Sequence, residues 1–134
     1  MASPHQRDWT GARPTNEIWV VCKLNGLRLV FFLAVGALAA LSVLPADQLP
    51  DVGFSIWDKA QHALAFFVLT LLGIGAYPGR TLAVVISMVA FGVCIELAQW
   101  SLGWRQGEWL DLLADILGVA IAIMLWHFRV RRQW

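Results

Sequence analysis

Four long apolar runs limit what this sequence can fold into. Residues 29–44 carry no charge, and residues 60–77 hold only His62 and Tyr77 as ionisable groups. Residues 81–102 are broken only by Glu96, and residues 112–128 carry Asp115 near the start and His127 near the end. A helix needs about 20 mostly apolar residues to cross a bilayer, and each run reaches that length with its flanks. Pro45, Pro50, Pro78 and Gly79 fall between the runs, where turns are needed. The expected fold is an all-α integral membrane protein, a four-transmembrane-helix bundle with helices at residues 27–45, 59–77, 81–102 and 111–130. This membrane domain, residues 27–130, lies between an N-terminal segment, 1–26, and a tail, 131–134. Residues 17–24 are read as a short interfacial helix anchored by Trp19, and residues 1–14 as mobile. The first run is read as a retained span, because its leader and its core are both longer than a signal peptide's.

Composition supports this reading. Only 14% of residues are charged and 59% are hydrophobic, against about 25% charged in an ordinary soluble domain. A disordered chain is excluded, and a net charge of +1 offers no electrostatic grip on nucleic acid. Two cysteines make no disulfide framework. Cys94, inside an apolar run, reads as a small core residue.

The basic residues orient the bundle. Arg7, Arg13, Lys23, Arg28, Arg80, Arg129, Arg131 and Arg132 fall on one side of a four-helix topology, and only Lys59 and Arg105 on the other. Cytoplasmic loops carry the excess of Lys and Arg, so both termini are expected in the cytoplasm. Trp57, Trp100, Trp104 and Trp109 then mark the outer interface, and Trp19, Trp126 and Trp134 the inner one. Seven of the nine acids, including Glu108, lie on the outer side.

Those outer helix ends hold the polar constellation. Asp58, Lys59 and His62 open the second helix, Glu96 and Gln99 close the third, Arg105 follows in the loop, and Asp111 and Asp115 open the fourth. Spacings of three or four put each set on one helix face. An ionisable group within a spanning helix costs about 2.5–3.5 kcal/mol on insertion scales, so Glu96 and Asp115 are expected to point inward, toward Arg105, Lys59 and His62. Asp58, Glu96, Asp111 and Asp115 outnumber Lys59 and Arg105. The surplus requires a protonated acid, a charged His62, a bound cation or solvent. Plainer roles stand beside this one. Asp58 and Asp111 could cap helix starts, Lys59 could snorkel to head groups, and Gly92 and Gly118 could allow close helix packing. The whole set could be a polar network pinning helices, and Asp47, Asp51 and Glu108 read most simply as solvated loop charges.

The ordered set resembles the VanZ-like family of small bacterial membrane proteins. The residues that carry the likeness are "DKAQH" (Asp58, Lys59, His62), "ELAQ" (Glu96, Gln99), Arg105, and "DLLADILG" (Asp111, Asp115, Gly118). Order and spacings agree over residues 58–118, with one departure: Asp115 stands where the family usually has Asn. The resemblance implies a multi-pass protein of the bacterial inner membrane, in a family whose founding member is associated with low-level teicoplanin resistance and whose biochemistry is not established.

An outer-facing pocket that binds a cell-envelope component, a lipid-linked precursor or an amphiphilic glycopeptide-type compound, is the first functional expectation. Membrane lipid is the expected surrounding partner, and no nucleic acid is expected. With no catalytic motif recognisable, binding is favoured over catalysis. The alternative is an enzyme using a carboxylate–histidine site on an envelope lipid head group. No cofactor is expected. A metal ion is the lesser reading, with His62, Glu96, Asp111 and Asp115 as its ligands. A transporter is disfavoured, since no acid lies near the middle of a span.

Overall fold

The computed structural model describes residues 15–44, 55–103 and 108–132. They form four helices: α1 (Thr15–Val43), α2 (Ser55–Ala76), α3 (Thr81–Leu102) and α4 (Trp109–Arg131), with no strand among the described residues. Each is long and apolar enough to cross a membrane. Large apolar side chains such as Phe32, Leu33, Leu82, Ile86, Leu97 and Leu117 face outward. A water-soluble protein rarely exposes apolar surface on this scale, whereas a bundle surrounded by lipid does.

The first helix departs from expectation. It begins at Thr15 and runs unbroken for 29 residues, so there is no separate interfacial helix over residues 17–24. No proline lies between Pro14 and Pro45, and continuing the helix satisfies every backbone group in turn. At 1.5 Å per residue α1 is about 43 Å long, more than the roughly 30 Å hydrocarbon core. The helix, with Glu17 and the exposed Trp19 in its first turns, is thus longer than an untilted span requires.

Local chemistry sets the next turn. Tyr77-Pro78-Gly79-Arg80 links α2 to α3, and the Arg80 N–H donates to the Tyr77 carbonyl at 3.1 Å. Proline second and a glycine third at φ 77° is the pattern of a type II turn. The turn makes α3 antiparallel to α2.

The packing is uneven. The largest interface joins α2 to α4; α1 packs on α2 and α3, and among the described residues it does not meet α4. Gly118 makes the α2–α4 approach possible, since a Cβ there would land on the Ala63 carbonyl oxygen. Phe66, Leu69, Ile74, Met88, Ile95 and Val119 fill the core. Cys94 is exposed on the outer face, not in the core as expected; its helical position turns it away from Ile95 and Gly92, which are buried.

Two polar ties fix α1. At one end the Arg28 Nε–H donates to the Ala76 carbonyl at 3.2 Å, and its guanidinium lies 5.0 Å above the Tyr77 ring. At the other, Gln99 Nε2 donates to the Ser42 carbonyl at 3.0 Å. The bundle thus has a basic end, with Arg28 and Arg80, and an acidic end, where α1 and α3 finish and α2 and α4 begin.

Candidate functional site at the acidic end

The site is built on two parallel helix starts in matched register. On α2, Lys59, His62 and Ala63 succeed one another along one face; on α4, Asp111, Asp115 and Gly118 do the same. Lys59 Nζ reaches Asp111 Oδ1 at 3.1 Å, and His62 Nδ1 lies 3.0 Å from Asp115 Oδ1. One step deeper, Gly118 meets the Ala63 backbone. The close glycine contact brings the two acid-bearing turns within hydrogen-bond reach of α2.

Lys59 has a second partner that the sequence reading missed. Glu108 Oε2 lies 2.8 Å from its ammonium, so Glu108 is an ion-paired member of the cluster and not merely a solvated loop charge. The signal was present: Glu108 and Asp111 are three apart, on the same turn facing α2. Lys59 is held between these two carboxylates rather than directed to Glu96. Asp111 occupies the first turn of α4, where its negative charge also favours the helix dipole, and its carboxylate serves Lys59. Asp58 is the fourth residue of α2, too far in for an N-cap, and its side chain lies outside the described residues, as does the whole of Arg105.

Glu96 and Asp115 form the deeper part. Asp115 is 1% exposed. Its Oδ1 faces His62, but its buried Oδ2 has no hydrogen-bond partner among the described residues. Both carboxylate oxygens of Glu96 are likewise buried without one. A Cβ added at Gly92 would sit 2.9 Å from Asp115 Oδ2, so the glycine on α3 provides the space that the carboxylate fills. His62, Glu96 and Asp115, from three helices, each offer one ligand atom within 4.8 Å of the others. Asp111, engaged by Lys59, is not in this group.

Gln99 does not join the acids. It is 3% exposed and turned to Ser42 on α1, so it braces the bundle three residues from Glu96 rather than lining the cluster.

A crevice of about 260 Å³ opens beside Glu96 between α3 and α4, bordered by Val93, Leu97, Trp100, Trp109 and Leu112. Its mouth faces the side of the bundle, and Trp100 and Trp109 stand exposed on that face. Two larger recesses lie toward the basic end, one of about 410 Å³ by Phe31 and Tyr77 and one of about 920 Å³ by Trp126 and Arg129. Neither is lined by a carboxylate among the described residues, whereas the smaller crevice adjoins Glu96.

Chemically, the cluster can accept hydrogen bonds, take up a cation, or move a proton through the His62–Asp115 pair. Comparison with protein-family models, with curated proteins and with solved structures gave no match.

Proposed function

We propose that this chain is a VanZ-like multi-pass protein of the bacterial inner membrane, with cytoplasmic termini, whose acidic-end cluster binds the polar head of a membrane amphiphile entering from the side. A lipid-linked envelope precursor is the class proposed. One observation carries this reading: Glu96, whose buried carboxylate oxygens have no hydrogen-bond partner among the described residues, lines a crevice with apolar walls and two flanking tryptophans. A buried polar group without a partner costs about 1–3 kcal/mol, more if charged, and ionisable groups within membrane spans are functional by default. Trp side chains favour the bilayer interface, which suits a ligand with its head in the cluster and its tail in lipid. The one-sided distribution of Lys and Arg supports the orientation, and the ordered residues from Asp58 to Gly118 support the family.

The test is lipid retention. Protein purified from a bacterial membrane into nanodiscs is analysed by native mass spectrometry, as wild type, Glu96→Gln and Leu112→Trp. Wild type is expected to carry one amphiphile that both variants lose, Glu96→Gln by removing the charge and Leu112→Trp by blocking the crevice. Equal retention by all three would defeat the proposal. The His62–Asp115 pair favours a second reading, in which the bound head group is also converted. A mass change in the retained lipid, abolished by His62→Ala, would move the chain to the enzymes.

A further inference from the structure

We propose that His62, Glu96 and Asp115 form a binding site for a divalent first-row transition metal, with an open coordination position turned toward the α3–α4 crevice. The inference uses the same cluster as the proposed function but does not depend on a lipid ligand.

The geometry is close to that of a bound ion. Metal–ligand bonds of about 2.0–2.1 Å in a tetrahedral site place the ligand atoms about 3.3 Å apart. His62 Nδ1 and Asp115 Oδ1 are already 3.0 Å apart, and all three candidate ligand atoms lie within 4.8 Å.

The unsatisfied atoms point the same way. Asp115 is almost wholly buried, and its Oδ2 is pressed toward Gly92 with no donor in reach among the described residues. A structural role for Asp115 would be complete with a donor at each oxygen; a cation held by both oxygens would also satisfy the Oδ2 that His62 does not serve. Lys59, the cation of this cluster among the described residues, is engaged by Glu108 and Asp111. Two carboxylates and a neutral imidazole carry a charge that a divalent cation balances.

The donor set selects the metal. One imidazole nitrogen with carboxylate oxygens suits zinc, manganese or ferrous iron better than magnesium or calcium, which prefer oxygen alone. Three protein ligands leave a fourth position for water or a ligand. Glu96 is the one of the three ligands that borders the crevice, so the open position is assigned to that side. There a bound metal would add an attraction for a phosphate or carboxylate group to the hydrogen-bond acceptors the acids already offer.

The experiment uses full-length, tag-free protein in nanodiscs, with Cys22→Ala and Cys94→Ala so that no thiol competes. After equilibration with Zn²⁺, Mn²⁺ or Mg²⁺ and desalting, bound metal is counted by plasma mass spectrometry. About one Zn²⁺ or Mn²⁺ per chain is expected, as a three-ligand site requires, with no retained Mg²⁺. Glu96→Gln, Asp115→Asn and His62→Ala are each expected to lower retention about tenfold or more, with helix content checked by circular dichroism. X-ray absorption of the wild type gives a readout independent of folding in the variants, with a light-atom shell and one imidazole expected. No stoichiometric metal, retention untouched by all three substitutions, or a shell without imidazole would overturn the site. Lipid retention is scored separately after chelation: metal without lipid removes only the amphiphile proposal, and lipid without metal removes only this one.

Discussion

The two ends of the bundle are built from the same helices and reach opposite outcomes. At the basic end, the Arg28 guanidinium reaches the Ala76 carbonyl, Asn25 and the face of Tyr77, and Phe31 packs against Tyr77. Its guanidinium finds acceptors and a ring face locally, and its aromatic residues pack edge to face. At the acidic end, Lys59 has two carboxylates, whereas Glu96 and one oxygen of Asp115 have no hydrogen-bond partner among the described residues. Among the described residues, the only other buried side-chain polar atom in that condition is Thr70 Oγ1, eight residues along α2 from His62, or about 12 Å. One end is arranged for cohesion. The other holds unmet bonding capacity, which a binding site requires and a purely structural network does not.

The largest expected effect tests what creates the acidic end. Gly118→Val drives a side chain into the Ala63 backbone, which cannot rotate away as a side chain can. Overpacking costs about 1–3 kcal/mol, or more where nothing yields. The thermal midpoint in detergent is expected to fall by roughly 10 °C or more. A shift within a degree or two would show that α2 and α4 do not rely on this contact.

Next in size is a gain. In chelated protein, Glu96→Leu is expected to raise stability by about 2 kcal/mol, because it removes a buried acceptor with no partner. Chemical unfolding would measure this. A loss of similar size would mean that Glu96 is paired in the metal-free state, and the contrast between the ends would weaken.

A double-mutant cycle on His62→Ala and Asp115→Ala is expected to give a coupling of about 1–2 kcal/mol, as for a hydrogen-bonded buried pair. Independent effects would break the α2–α4 register at its polar contact. At the basic end, Arg28→Met is expected to lose about 1 kcal/mol, from one hydrogen bond and one cation–π contact. Lipid retention should be untouched, which separates cohesion from binding. Smallest of all is Gly36→Ala on α1, where an added Cβ meets nothing within 4 Å. The higher helix propensity of Ala predicts a change of at most about 1 kcal/mol, toward greater stability.

Much of the site was legible because helical spacing is local. Lys59 with His62, and Asp111 with Asp115 and Gly118, share faces that any helix would give them. What could not be read was which face meets which. Glu108 looked like a solvated acid until α4 was set against α2, and Lys59, free in the sequence to serve any of four acids, is held by two. Gln99 lies on the same face spacing as Glu96 yet turns to α1, because Ser42 offers a carbonyl there. Cys94 shows the reverse failure: a small apolar residue in a span has no preferred side until its neighbours are placed.

The sequence by itself determined the four spans, the Pro-Gly turn that reverses α2 into α3, and the gathering of acids at one set of helix ends. Those follow from hydropathy, backbone sterics and helical periodicity, all of which act over a few residues. Only the tertiary structure decided that Gly118 lets α4 close on α2, and that Lys59 goes to Glu108 and Asp111. Each of these rests on contacts between segments up to 55 positions apart, or on competition for a single ammonium. With Lys59 so engaged, Glu96 and the Oδ2 of Asp115 have no hydrogen-bond partner among the described residues.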